Sequence, residues 1–315
     1  MFENIPNKYT CVCPLCGVSN VSIETVATPF ITKLWISMGV DVSGMLNFPW
    51  LFKFKCTCCQ LGYYYPEACG NDKFYSQLSK WDWYYGHEGK TEYSIVSSLV
   101  QNGEKLIDVG CGIGEFCRYL DASVQFTGLE LSTKAVGIAK SLGRNVLQLN
   151  IKELPENYIS AFDFVTCFQV LEHVQVIDDF FKPLVSMCRQ GGIICLAVPN
   201  SDSFLGEAVN HIMNAPPHHL LHWCEKSLRF LATKYHLEVF QYTEEPIQGV
   251  HLRAIHTVYW ARYISNFFHI ERRSFDSRIR LKFVNFLSRI ASIFSSVLHP
   301  SMIQKGQSSI IILRK

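Results

Sequence analysis

From Glu104 onward, short apolar runs alternate with amphipathic stretches, a pattern that predicts a parallel sheet wrapped by helices. The apolar runs place strands at Lys105–Val109, Gln125–Glu130, Val146–Leu149, Phe162–Phe168, Gly192–Val198, Leu237–Tyr242 and Ser308–Leu313. Apolar residues at helical spacing place helices near Glu115–Leu120, Thr133–Leu142, Asp178–Cys188 and Glu225–Tyr235. The sequence shows no internal repeat and no low-complexity tract.

A further helix is expected over Arg278–Leu298. Ile279, Phe283, Phe286, Leu287, Ile290, Phe294 and Val297 recur on one side, and Arg278, Lys282, Asn285, Arg289 and Ser292 take the other. Such a basic amphipathic helix suits an anionic membrane interface, with Trp260 and Tyr263 upstream as anchors. It equally suits packing on its own domain or dimerisation through 251–305.

Charge sharpens this picture. From His251 to Lys315 eleven Lys and Arg stand against Glu271 and Asp276, a balance of +9, so the rest of a chain whose total is +2 carries −7. An acidic body gives no reason to expect a nucleic-acid partner.

A length of 315 residues accommodates one α/β core and a small accessory module. Hydrophobic content of 48% with 18% charged residues excludes a disordered chain. There is neither a basic-then-apolar leader nor an uncharged apolar run of about 18 residues, so neither a signal peptide nor a spanning helix is expected. The 13 cysteines are odd in number, and Cys117, Cys167 and Cys195 fall inside expected core elements. A reducing cytoplasm fits this better than a disulfide scaffold.

Cys13-Pro14-Leu15-Cys16-Gly17 and Cys56-Thr57-Cys58-Cys59 form two Cys-x-x-Cys pairs. Zinc favours four tetrahedral thiolates, and each pair can present two sulfurs to one ion, so Cys13, Cys16, Cys56 and Cys59 are the expected ligands of a structural Zn²⁺. Cys11 and Cys58 leave the register open, and reduced buried thiols or a redox pair are the alternatives. The intervening segment, with Trp35, Phe48, Trp50, Phe52 and Phe54, is expected to form strands and a loop around the metal.

The stretch Leu106-Ile107-Asp108-Val109-Gly110-Cys111-Gly112-Ile113-Gly114 reads as a strand running into a glycine turn and then a helix. Alternate glycines let the backbone approach a ligand closely. A dinucleotide fingerprint wants a small residue at position 115, but Glu115 stands there and its carboxylate would repel a pyrophosphate. The loop therefore suits a ligand without phosphates. Glu130, ending the next strand, can accept the hydroxyls of an adenosine ribose. The bland readings are that Asp108 caps a buried strand and Glu130 is a solvated edge charge.

The segments IDVGCGIGEF, GLEL and FDFVTCFQVLEHV resemble the class I S-adenosylmethionine-dependent methyltransferases, over roughly residues 80–249 and the final strand. The VLEHV segment is similar to quinone O-methyltransferases and to sugar and lipopolysaccharide-cluster methyltransferases. The resemblance implies that Asp108, Gly110, Gly112 and Gly114 surround the methionine end of the cofactor, that Glu130 holds the ribose, and that Leu131 lies beside the adenine. It also places Asn150, where the family often has an Asp, near the adenine amine, and Phe168 and Gln169 in the pocket lining. Glu172 and His173 are either a structural ion pair or catalytic. The aromatic entry from Trp81 to Lys90 corresponds to a lid, with Tyr84, Tyr85 and Lys90 as lid candidates and core packing as the alternative for the aromatics.

The segment Ala215-Pro216-Pro217-His218-His219-Leu220-Leu221-His222-Trp223 follows the fifth strand and resembles a loop of related sugar and antibiotic-pathway methyltransferases. A histidine there can accept a hydroxyl proton. His219 is the first candidate for general base and His218 the second, against a purely loop-closing role.

The expected fold class is thus α/β, a Rossmann-like, seven-stranded, mostly parallel sheet with a small N-terminal zinc-ribbon-like module and a helical insertion before the last strand. The expected division is 1–75 for the module, 76–249 with 306–315 for the methyltransferase domain, and 250–305 for the insertion. The expected activity is methyl transfer from S-adenosylmethionine to an oxygen of a polar small molecule, a sugar or a lipid-linked glycan precursor. An RNA methyltransferase with a zinc module and a non-catalytic zinc-dependent interaction protein are the rival readings. The expected location is cytoplasmic, with peripheral contact at the inner face of a membrane as an extension.

Overall fold

The computed structural model describes residues 8–81, 84, 90–247, 249–294 and 305–315. Tyr85, Val297 and the side chain of Phe294 lie outside the described residues.

The N-terminal part opens with β1 (Thr10–Val12) and β2 (Ser19–Val21), an antiparallel pair. Then come β3 (Glu24–Ala27), α1 (Thr28–Ser37), β4 (Trp50–Lys55) and β5 (Gly62–Tyr65). The helix α1 replaces the loop expected between these strands. Ile31 and Trp35, one helical turn apart, are both fully buried, and this apolar stripe is what makes the segment helical. The connection to the main sheet carries α2 (Asp72–Leu78), capped by Asn71 Oδ1 accepting from Phe74 N at 3.0 Å, and α3 (Thr91–Ser97).

The main sheet comprises β6 (Lys105–Val109), β7 (Gln125–Glu130), α4 (Thr133–Ser141), β8 (Val146–Gln148), β9 (Phe162–Phe168), α5 (Ile177–Met187) and β10 (Cys188–Pro199). The chain continues through α6 (Phe204–Glu207), β11 (Leu221–His222), α7 (Glu225–Lys234), β12 (Glu238–Glu244), α8 (Leu252–Phe267), α9 (Ile279–Phe294) and β13 (Ser308–Arg314). The seven strands of the sheet run β12-β13-β10-β9-β6-β7-β8. All pairs are parallel except those of β13, which runs antiparallel to both β10 and β12. The strand order therefore reverses at β6, and ligands of such sheets bind beyond the carboxyl ends of the strands at that switch point.

Each expected strand forms, with ends shifted by a few residues. The segment after the glycine turn is a 3-10 helix, Glu115–Tyr119, rather than an α-helix.

The fourth strand of the N-terminal sheet is β11, which follows β10 by some twenty residues of chain: the order is β11-β5-β4-β3. Leu221 pairs with Tyr63 and His222 with Gly62. One hydrophobic cluster joins Cys13, Leu15, Phe54 and Leu61 to Val109, Leu171 and Trp223. The expected boundary at residue 75 is therefore not a packing boundary, because both sides share a sheet and a core.

The insertion is a pair of packed helices, not a single one. In α9 the buried residues are Leu281, Val284, Ser288 and Ser292, whereas Ile279, Phe283, Phe286 and Ile290 are exposed and Leu287 is half-buried. The face expected from its apolar pattern to be covered is thus the outward one.

Candidate active site

Asp108 lies near the end of β6, buried, with the Thr166 hydroxyl donating to its Oδ1 at 2.7 Å. Burial pushes its carboxyl up to about 7, against the opposing pull of the Thr166 hydroxyl and of Lys90. The chain then turns through Gly110 at φ +72 and Gly112 at φ +57. A Cβ on Gly110 would lie 2.5 Å from Val170 Cγ2, so that position demands glycine for space as well as for backbone. The Gly110 and Cys111 amides both donate to Leu129 O, at 2.8 and 3.1 Å, which pins the turn to the neighbouring strand.

Glu130, ending β7, is fixed by three backbone amides. Its Oε2 accepts from Gly112 N at 2.9 Å, and its Oε1 accepts from Leu131 N and Ser132 N at 2.8 Å each. A carboxylate has about four acceptor sites. A ribose diol held here would therefore use the remaining one and displace or share an amide.

Asp108, Gly110, Gly112, Glu130, Leu131, Asn150, Phe168, Gln169, Tyr84 and Lys90 all line one cavity of about 1490 Å³. Single-ligand pockets span roughly 300–1,000 Å³, so this one has room for two molecules. Gly114 does not line it. At φ +71 it turns the chain into the 3-10 helix, and its α-carbon faces Val146 and Arg144. Asn150 Oδ1 accepts from Lys152 N at 3.1 Å as a helix cap, so the oxygen expected to meet an adenine amine already has a partner. Glu115 forms a 2.7 Å ion pair with Arg144, so its charge is compensated and does not by itself turn phosphates away.

Three histidines line the same cavity. His173, His218 and His219 each bring one ring nitrogen within 4.8 Å of the others'. His173 Nδ1 meets His218 O at 2.6 Å, His218 Nδ1 meets Met213 O at 2.8 Å, and His219 Nδ1 meets Asn214 Oδ1 at 3.1 Å. A carbonyl oxygen can only accept, so each Nδ1 carries the proton and each Nε2 presents a lone pair. Tyr84 places its hydroxyl 3.2 Å from His218 Nε2. His218 and His219 stack with centroids 4.3 Å apart. Burial holds both well below the ordinary histidine range and brings His173 to about 4, so all three are neutral.

Glu172 and His173 sit 3.8 Å apart, within ion-pair reach. Burial nonetheless raises the Glu172 carboxyl to about 8 and keeps His173 unprotonated, so the pair is neutral near pH 7. Sequence reasoning set His173 apart from the other two histidines. The signal it lacked is the contact of Leu220 N with Glu172 O at 2.8 Å, which ties the histidine loop to the segment after β9.

A family model described as a methyltransferase domain matches residues 92–242, spanning the glycine turn, Glu130 and the histidine wall. The sheet has the class I methyltransferase fold, and the matched stretch lies on it. The chain is 31% identical over 105 residues to a ubiquinone biosynthesis O-methyltransferase of Dechloromonas aromatica, covering 31% of this chain and 45% of that protein. It is 26% identical over 152 residues to an uncharacterized protein of Methanocaldococcus jannaschii, covering 47% of this chain and 59% of that one. It thus spans about half the length of the curated relatives it matches. An S-adenosylmethionine-dependent methyltransferase from Thermotoga maritima, described as a possible histamine N-methyltransferase, shares the fold with a TM-score of 0.50 at 16% identity, over 78% of this chain and 97% of that one.

Against the methyltransferase domain stands the cysteine cluster. The Sγ atoms of Cys13, Cys16, Cys56 and Cys59 lie within 4.8 Å of one another, with Cys13 to Cys59 at 3.5 Å and Cys16 to Cys56 at 3.4 Å. A tetrahedron with Zn–S of about 2.3 Å has sulfurs roughly 3.8 Å apart, so the donor set fits the ion. The two turns are equivalent: Gly17 N donates to Cys13 O at 2.9 Å and Gln60 N to Cys56 O at 3.1 Å, with Gly17 and Gln60 both at positive φ. The cluster brings together Cys13, Cys16, Cys56 and Cys59, with Cys11 and the exposed Cys58 outside it. The Cys59 thiol beside Cys13 draws the latter down to about 5, toward the thiolate a metal needs.

Proposed function

We propose that the chain is an S-adenosylmethionine-dependent methyltransferase that methylates a hydroxyl oxygen of a small polar acceptor, a sugar or a lipid-linked glycan precursor. One observation carries the reading: the glycine turn with Glu130 and the cluster of neutral histidines line one and the same cavity of about 1490 Å³. The chain's similarity to ubiquinone biosynthesis O-methyltransferases supports oxygen as the methylated atom.

S-adenosylmethionine, when bound, supplies a methyl group on a sulfonium that needs no further activation. The chain's part is to align the acceptor and take its proton. Gly110 and Gly112 would let the backbone approach the cofactor, Glu130 would hold its ribose, and Tyr84 and Lys90 line the same cavity. His219 Nε2 takes the hydroxyl proton. His219 is preferred to His218 because the Tyr84 hydroxyl engages the His218 Nε2, while Asn214 fixes the His219 tautomer. The four cysteines hold a structural Zn²⁺, since four thiolates leave no position open for water.

Calorimetry with S-adenosylhomocysteine tests the cofactor half: the wild type binds, and Gly110→Ala binds at least tenfold more weakly. Absence of wild-type binding would end the reading. For the base, methyl transfer is measured on hydroxylated acceptors such as nucleotide-linked sugars, lipid-linked sugars and catechols. His219→Ala is expected to lower kcat by about 10²–10⁴-fold with cofactor affinity kept. Turnover at the wild-type rate across pH would remove His219 from this role.

A further inference from the structure

The helix pair α8–α9 is packed in an unusual sense. Its buried side carries Ile255, Ala261 and Ser265 of α8 and Leu281, Val284, Ser288 and Ser292 of α9, so serines are covered on both helices. The bulky apolar side chains point the other way. Ile279, Phe283, Phe286, Ile290 and Ile293 repeat at spacings of four and three and are between 40% and 79% exposed. On a helical wheel they form one stripe diametrically opposite the buried side. The stripe continues onto the end of α8, where Phe268 lies 6.3 Å from Phe283 and where Tyr263 and Phe267 are also exposed. Water gives no reason to hide serines and display phenylalanines. A lipid surroundings does, because helices there associate through small residues and turn their large apolar side chains outward.

Three exposed cations flank the stripe, Lys282 and Arg289 on one side and Arg280 on the other. None of the three makes an ion pair among the described residues, and the sequence from Ser277 to Lys315 contains no Asp or Glu. A second copy laid against this stripe would bring cation against cation with no acid to meet them. An anionic lipid surface meets both the apolar stripe and its basic margins. Among the described residues no helix is long and apolar enough to cross a bilayer, so α9 would lie along the interface.

The pair is also held firmly. Glu24 accepts from Ser274 N and Phe275 N at 3.0 and 3.1 Å, and Lys53 Nζ donates to Ser274 Oγ at 2.6 Å, fixing the connection between the helices to the N-terminal sheet. Residues Ala254 and Val258 on α8 line the active-site cavity. A surface presented by these helices is therefore fixed relative to the cavity it adjoins.

We propose that α8–α9 docks this protein on an anionic lipid surface through the Ile279-Phe283-Phe286-Ile290-Ile293 stripe, with Arg280, Lys282 and Arg289 engaging the head groups. Docking of this kind sets the cavity mouth beside the membrane, where a lipid-linked acceptor resides. Vesicle binding is measured without any acceptor, so its failure leaves the methyl-transfer reading standing, and loss of cofactor binding leaves this inference standing.

The test is cosedimentation of the full chain with phosphatidylcholine vesicles, with and without phosphatidylglycerol. The protein is expected to pellet with the anionic vesicles, less with the neutral ones, and less as salt rises. Phe283→Ser with Phe286→Ser is expected to weaken partitioning about a hundredfold, and Arg280→Gln with Lys282→Gln and Arg289→Gln to weaken binding to anionic vesicles by a similar factor. Binding of S-adenosylhomocysteine should stay unchanged in both, and serves as the check on folding. If the serine variant fails that check, the exposed-charge variant carries the test. Wild-type protein left in the supernatant with both vesicles, or variants that pellet like wild type, would overturn the proposal. So would a dimer in light scattering that Phe283→Ser with Phe286→Ser converts to monomer, because the stripe would then belong to a second copy.

Discussion

Gly62 and His222 face each other across an antiparallel strand pair, and a Cβ on Gly62 would lie 2.8 Å from the Cβ of His222. This contact joins the segment after the second cysteine turn to the loop that carries the histidine wall. His222 Nε2 in turn meets Asn214 O at 2.9 Å, and Asn214 Oδ1 orients His219. The N-terminal module is thus a support for the candidate base rather than an appendage.

Gly62→Ala tests that support. Overpacking at a buried backbone crossing costs about 1–3 kcal/mol. The variant should unfold at lower temperature and show reduced kcat, while its affinity for S-adenosylhomocysteine, set by the glycine turn and Glu130, stays at the wild-type value. Equal losses of affinity and turnover would show that the contact acts on the whole domain instead.

Removing the metal should act along the same path. Cys16→Ser is expected to bind less than one equivalent of zinc by elemental analysis and to lose roughly 3 kcal/mol, a fall in Tm of about 4–5 °C for a chain of this size. Wild-type protein purified without zinc, and no less stable after chelation, would show that the four thiols are structural on their own.

Glu172 gives stability a pH dependence with a definite sign. Burial raises its carboxyl from an ordinary 4.5 to about 8 in the folded protein, so between those values the native state binds the proton and the unfolded chain does not. Its contribution is present below about pH 4.5 and is lost as the pH rises through 8. Glu172→Gln should flatten the alkaline side of the curve and be more stable than wild type at pH 8, read by thermal unfolding at a series of pH values.

The buried histidines oppose this trend at lower pH. His173 is at about 4 folded against 6.5 ordinarily, so between these values the unfolded chain takes up the proton and acid destabilises the fold; its contribution is fully present above 6.5. The two windows overlap between about 4.5 and 6.5, where His173, His218 and His219 together outweigh Glu172, so a wild-type stability maximum near pH 6.5 is the expected result.

What the sequence determined by itself was local. The strand ending in Asp108, the glycine turn and Glu130 were legible because a few adjacent residues fix the backbone there, and the two Cys-x-x-Cys turns because each closes within five residues. Strand positions followed from short apolar runs. The tertiary structure decided what depends on distant chain meeting. It brought His173 from the segment after β9 against His218 and His219, gave the N-terminal sheet its fourth strand from β11, and compensated Glu115 with Arg144. It also chose which face of α9 to bury. An apolar pattern specifies that a helix has a side to cover, but Ser288 and Ser292 packed inward and Phe283 and Phe286 left outward follow from how closely two helix backbones approach, which no single segment encodes.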